Sequence, residues 1–369
     1  MSRRRRGFIL GNGGSVDWSD YDSTGDKTPV EFSSSAVKYL NVVPIDETRA
    51  LLIYRGTSGF CRARICSIDG AGLATFGTET VLLSATISDA KADLLDSTHA
   101  IVAVESGGDV KMIAIEFSGT SIDTVGTAVT METVNSGHLS IAAASSSAFF
   151  VGYEVSNKGR LGYATVSGTT VTAGNAMQFE ALDIVDMNMC SLASGTCLVA
   201  AGHTGADDGE VYLVSQSGST PQVDDQITLV NGTLNVDSIG IARIDDNTAI
   251  VSWTETASTT DCSAAIITES GGTLSKGTNE QFSTDVAREQ SIALPDVEHA
   301  VMTISNSTTE MASIVVEISG ASLTALTQYQ NVSGDKEYVT NGEVGTDWVL
   351  TAYEDDDDLS KGKVLVLGV

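Results

Sequence analysis

An all-β fold is what this sequence predicts: a single seven-bladed β-propeller, four antiparallel strands per blade. Three observations carry it. The stretch Asp96 to Gly119 has six other copies along the chain. In each, a polar turn precedes a small or aromatic residue that opens an apolar strand, and an alternating strand then runs to a glycine turn. The opening residue recurs as Ala50, Ala100, Ala148, Cys197, Ala249, Ala300 and Trp348, the closing one as Gly70, Gly119, Gly168, Gly218, Gly271, Gly320 and Gly368. Both series step by 48 to 53 residues, and units of that size bury a core only by stacking on one another. The third observation lies at the ends. The last unit stops at its glycine turn and lacks a fourth strand. Gly25 to Phe32 copies the segments that follow the other turns, so residues 25–34 are expected to close the ring as the outer strand of the last blade.

Taken in order, residues 1–24 form a basic arm and leader, and 25–369 the propeller. Arg3, Arg4, Arg5 and Arg6, followed by Phe8, hold four of the chain's eleven arginines. The apolar stretch Phe8 to Leu10 is too short for an export signal or a membrane span. The arm therefore reads as an assembly anchor or as a disordered leader. First strands are expected near Val37, Ala85, His138, Met187, Asp237, Gln290 and Lys336. A typical unit reads as Tyr39 to Pro44, Ala50 to Tyr54, Cys61 to Ser67 and Thr75 to Leu83. The second strands are continuously apolar (AIVAV from Ala100, AIVSW from Ala249) and suit burial on both faces. The fourth strands are the most polar, which places the first two near the axis and the fourth at the rim. Asp leads the turns IDET, LDST, IDDN and PDVE because its side chain caps a turn.

Composition narrows the function. A net charge of -28 from 48 acidic and 20 basic residues repels phosphate backbones and argues against nucleic-acid binding by the propeller body. Such a coat suits solubility, a saline medium, or a cationic or calcium-bridged surface. Five cysteines with no metal spacing read as buried thiols, although Cys190 and Cys197 flank a hairpin turn. His99 and His299 occupy one repeat position and read as turn elements, while His138 and His203 stand alone. Two carboxylates facing a pocket could run glycoside hydrolysis, but no unit carries a distinctive acidic insertion. The expectation is a non-enzyme with no catalytic residue and no cofactor. The weak calcium candidates are Asp355, Asp356, Asp357 and Asp358, with Gly205 to Glu210 in the matching loop of the fourth unit; both read first as solvated loops. Trp348 and Trp253 read as core. Asn231, Asn306 and Asn331 fit the glycan acceptor pattern only weakly.

The stretches Phe117 to Ile122 with Gly126 to Val129, Val166 to Val171 with Gly174 to Ala176, and Leu95 to Ala100 resemble repeats of structural and tail-fibre-like proteins of bacteriophages, many of them marine, and of some bacterial surface proteins. The resemblance spans nearly everything after residue 24 and marks turns and blade cores. It implies a virion component, a tail, fibre or capsid-decoration element. Such a component would meet other virion proteins through the arm and a host-surface glycan or protein through its loops. The alternative is a free carbohydrate- or protein-binding propeller of a marine or halophilic microbe, located outside the cell or on its surface.

Overall fold

The computed structural model describes residues 28–133, 136–203, 209–230, 236–255, 262–283, 287–306, 310–333, 336–345 and 348–368. Regular structure in them is β-strand apart from three 3₁₀ turns of three residues each. The unit after Ser88 shows the plan. Strands Asp89–Leu94, His99–Ser106 and Asp109–Ser118 pair antiparallel in sequence order. Ser121–Val125 and Val129–Thr133 then share the outer edge of the third. The same order starts at Lys38–Asp46, Ser136–Ser145, Val236–Arg243, Ala287–Ala293 and Lys336–Val344. The long strand Thr170–Ser191 serves twice: its first part is the outer strand beside Lys158–Ser167, and from Ile184 onward it is the first strand beside Cys197–His203. Grouped this way, the described strands form seven antiparallel sheets. Consecutive first strands lie against one another, and Lys336–Val344 lies against Lys38–Asp46. This is a β-propeller.

The chain's front and end meet in one sheet. Strand Val30–Ala36 pairs antiparallel with Lys361–Gly368, Val30 opposite Val364 and Glu31 opposite Lys363. The Lys361 ammonium lies 3.2 Å from Glu31. Phe32, 1% exposed, packs edge-on against Tyr54 at 5.2 Å between ring centroids and covers Gly362, where a Cβ would strike its ring. Residues 25–27 of the expected strand, and the whole arm with Arg3 to Arg6 and Phe8, lie outside the described residues.

Local chemistry explains the turns and strands. Asp46, Asp96, Asp245 and Asp296 each accept the backbone N–H two residues on, at 2.7–2.9 Å, the Asx turn anticipated from IDET and its relatives. His99 and His299 add their Nδ1 atoms to Asp96 and Asp296, so both are turn elements. Second strands are buried almost throughout, as in His99–Ser106. Cys61 and Cys66 belong to opposite faces of one strand and enter different core clusters. None of the five cysteines is joined in a disulfide. Trp253 is fully buried and donates Nε1–H to Glu255 at 2.9 Å, while Trp348 is only half-buried.

Two expectations need correction. The outer strand of the first unit is not continuous from Thr75 to Leu83; it splits into Ala74–Phe76 and Thr80–Thr86 around Gly77. The second strand segment runs past Ala85, so the next unit's first strand begins at Asp89. The close contact at Gly77 recurs in other units. A Cβ on Gly77, Gly126, Gly174 or Gly277 would overlap the backbone carbonyl of Thr120, Thr169, Ser219 or Ala321, which lies in the following unit's third-to-fourth strand turn. These glycines recur because a neighbouring main chain fills the space of their side chain. That turn itself needs a left-handed residue, supplied at φ +55° to +64° by Gly119, Gly168, Gly218, Gly271 and Gly320, whereas in the first unit Gly72 at +79° replaces the expected Gly70. Gly126→Ala is therefore expected to destabilise the protein by about 1–3 kcal/mol through overpacking. Urea unfolding checks this against Gly70→Ala, whose added methyl meets nothing within 4 Å.

Candidate functional site: the axial channel and its mouth

A first strand pairs with its own second strand on one edge and turns the other edge toward the next unit. Unpaired N–H groups there must find partners. They find side chains one repeat away. Asn41 accepts from Ala92, Asp89 from Leu139, Asp93 from Ala143, Asp186 from Ile239 and Glu289 from Val339, all at 2.8–2.9 Å. Ser291 accepts from Asn341 at 2.8 Å, and Thr340 from Val42 at 3.3 Å across the closure. Three amides work in the other direction: Gln290 donates to the Ser238 carbonyl and Asn188 to that of Ile239, each at 2.6 Å, and Asn341 to that of Ser291 at 3.3 Å.

These strands enclose a cavity of about 650 Å³. Its wall carries Asp89, Asp93, Glu105, Asp186, Glu289 and Glu343, against Lys91 and His138. Burial raises the Asp186 carboxyl; the Ile239 N–H and Lys91 oppose it only in part. Burial also pushes Glu289 up to about 7, with Val339 N–H and Lys91 pulling back and Glu337 and Asp186 adding to the rise. Glu105 is raised by burial too, with Asp89 and Glu154 reinforcing. The channel wall is thus acidic, and Glu289 is only partly ionised near neutral pH.

At one end stand three residues in the left-handed region: Tyr39 (φ 54°), His138 (φ 48°) and Tyr338 (φ 52°). Each sits at an irregularity in the pairing of a first strand with its second, and each lines the cavity. A non-glycine residue there costs about 1–2 kcal/mol, and such strain persists where the surroundings hold it and clusters at functional sites. Tyr39 and Tyr338 meet edge to face at 5.2 Å, with Arg55 over the Tyr39 ring at 5.3 Å and Lys38 over the Tyr338 ring at 5.4 Å. His138 Nε2 lies 3.9 Å from Glu154. The arrangement offers carboxylates to a visiting polar or cationic group, beside two rings that already show how a cation settles on them.

The structure places the acidic run elsewhere. Asp355 is buried between Lys336 and Lys363, both at 2.7 Å; Asp357 meets Lys336 at 2.9 Å, and Asp358 meets Lys363 at 3.0 Å and Lys361 at 3.4 Å. Burial works to raise the Asp355 carboxyl, but Lys336 and Lys363 hold it below the usual range. Asp356 accepts from Ser360. Lysine ammoniums thus partner three of the four aspartates. Of the matching loop of the fourth unit, residues 204–208 lie outside the described residues. The sequence did not single out Tyr39 or Tyr338, although both precede an aliphatic residue at one repeat position with His138 (Tyr39-Leu40, His138-Leu139, Tyr338-Val339). Among the described residues, Glu180, His203 and Glu210 are grouped as metal ligands would be.

No protein-family model matches the chain, and no curated protein does. Solved structures match across nearly its whole length. A chain of the mitotic checkpoint complex superposes with a TM-score of 0.60 at 12% identity, covering 97% of this chain and 95% of that one. The WD40 domain of Toxoplasma gondii coronin gives 0.58 at 8% identity, covering 93% and 85%. The intramolecular trans-sialidase of Ruminococcus gnavus, solved with oseltamivir carboxylate, gives 0.52 at 10% identity, covering 92% and 96%. At these identities the likeness establishes the propeller fold.

Proposed function

We propose that this chain is a non-enzymatic binding propeller that takes a basic segment of a protein partner at the mouth of its axial channel. The observation that carries the reading is the strained trio Tyr39, His138 and Tyr338 above a channel whose wall holds six carboxylates and one lysine. A lysine or arginine entering there gains the carboxylates, beside a tyrosine pair that already holds Arg55 and Lys38 over its rings. Four of those carboxylates, Asp89, Asp93, Asp186 and Glu289, each commit an oxygen to a neighbouring N–H, which suits a scaffold better than an acid–base pair. Propellers that assemble with protein partners and propellers that act on carbohydrates share this architecture, so the site and not the fold decides between them. The test is binding of the intact protein to arrays of basic peptides and of glycans. Peptide binding that weakens with salt and falls at least tenfold in Tyr338→Ala supports the reading. Binding indifferent to Tyr39→Ala and Tyr338→Ala, or confined to glycans, overturns it.

The repeat resemblance favours a second reading for location, a virion component anchored by Arg3 to Arg6 and Phe8. Mass spectrometry of gradient-banded particles would then find the chain at structural-protein abundance. Deleting Met1 to Gly14 would abolish incorporation while leaving the propeller folded; incorporation that survives the deletion removes the anchor.

A further inference from the structure

Away from the channel, a second cluster lies between the third and fourth sheets. Glu180 comes from the shared strand Thr170–Ser191, His203 ends Cys197–His203, and Glu210 opens Glu210–Ser217. Their ligand atoms all lie within 4.8 Å of one another. His203 is 0% exposed, and neither of its ring nitrogens has a hydrogen-bond partner. A buried imidazole without a partner is costly. Its Nε2 stands 3.9 Å from Glu180 Oε2, too far for a hydrogen bond. That separation falls within the roughly 3–4 Å that two ligands about 2.1 Å from one ion span.

The carboxylates show the same deficit. Glu180 Oε1 accepts from the Ala181 and Leu182 amides at 2.5 and 2.6 Å, which turns Oε2 toward the cluster. Tyr212 Oη contacts both Glu180 Oε2 and Glu210 Oε2. A phenol has one hydrogen to donate, so one of these two oxygen–oxygen contacts has no proton in it while both acids are ionised. In the first and third units the carboxylate beside a buried tyrosine is balanced by an arginine. Tyr54 donates to Glu79, which Arg62 neutralises, and Tyr153 donates to Glu132, which Arg160 neutralises. Among the described residues, neither Glu180 nor Glu210 has a lysine or arginine partner; His203 is the nearest base.

We infer that Glu180 Oε2, His203 Nε2 and Glu210 Oε2 bind one divalent transition-metal ion that braces the third sheet to the fourth. The ion supplies the charge that arginine supplies in the first and third units, gives the imidazole a partner and relieves the shared hydroxyl. One imidazole with two carboxylates is a zinc-type donor set with room for water, and too few oxygens for calcium. The Tyr212 hydroxyl then serves as an outer hydrogen bond that orients the acids.

The test uses the intact chain, stripped with chelator and dialysed against Zn²⁺ or Co²⁺. The wild type is expected to retain about one equivalent of zinc by plasma mass spectrometry, and to gain thermal stability with added Zn²⁺ as mass action requires. His203→Gln and Glu210→Gln are expected to bind at least 100-fold more weakly, while Glu79→Gln at the arginine-balanced site binds as the wild type does. If His203→Gln fails to fold, the wild-type Co²⁺ complex decides alone: visible bands of a four- or five-coordinate ion with nitrogen and oxygen donors support the site. Retention below about 0.2 equivalents, affinity unchanged in a folded His203→Gln, or binding of Ca²⁺ in preference to Zn²⁺ overturns it.

Discussion

Phe32→Ala should cost about 3–5 kcal/mol, the range for removing a fully buried aromatic ring. The ring is 1% exposed, meets Tyr54 and Phe76 at 5.2 and 6.2 Å, and roofs Gly362, so a cavity opens at the one sheet that joins the two ends of the chain. Loss of that strand does more than subtract contacts. It bares the edge of Lys361–Gly368, whose unpaired backbone groups then recruit another chain. Urea unfolding should show the lowered midpoint, and light scattering should show association on the way to it. Glu31→Gln, which removes only a surface ion pair to Lys361, should stay within about 0.5 kcal/mol. A Phe32→Ala protein within 1 kcal/mol of the wild type would mean that the closing strand contributes little.

Glu354→Gln should stabilise the protein at pH 8 and hardly at all at pH 4.5. Glu354 is 0% exposed, and neither carboxylate oxygen is in hydrogen-bond geometry with a donor. Burial pushes it up to about 7; Lys38 pulls back, while Asp356 and Glu337 push further. An unfolded glutamate titrates near pH 4.3. Between that value and 7 the folded state holds a proton that the unfolded state has lost, so stability falls as pH rises through the window. The full penalty is present above it. Removing the charge recovers roughly 1–3 kcal/mol at pH 8. Glu289, also near 7, should behave alike, with a smaller gain because its Oε2 already accepts from Val339. Chemical denaturation at both pH values decides the matter: equal gains at pH 4.5 and pH 8 would place the effect in packing and not in charge.

The fold was legible because its determinants are local and repeat. An aspartate two residues before an N–H makes the same turn in four units, and the glycines after the third strand recur because a neighbouring carbonyl needs their space. The closing strand was legible for the same reason, as a copy out of place. The sites were not. His203 stands alone in the sequence because Glu180 lies 23 residues before it, on a strand that the fold brings alongside. Tyr39, His138 and Tyr338 share a repeat position, yet their left-handed backbone leaves no mark on residue type, since tyrosine is not chosen for it. The acidic run Asp355 to Asp358, read first as a solvated loop, has lysine partners Lys336, Lys361 and Lys363 from both neighbouring strands, a pairing that the sequence does not show.

Most of the polar side chains that stitch one first strand to the next address main-chain groups, although Asn341 also donates to the Thr303 hydroxyl. Asp89 holds the amide of Leu139 and would hold that amide equally under any residue but proline. At these joints each copy is therefore free to drift, provided that it keeps its own acid or amide and its own glycine, while the apolar faces of adjacent sheets still pack into shared clusters. Seven units can diverge until little but their spacing is shared and still fit one ring. A recognition surface can then be rewritten on a single unit, or on two, without renegotiating the joints of the rest.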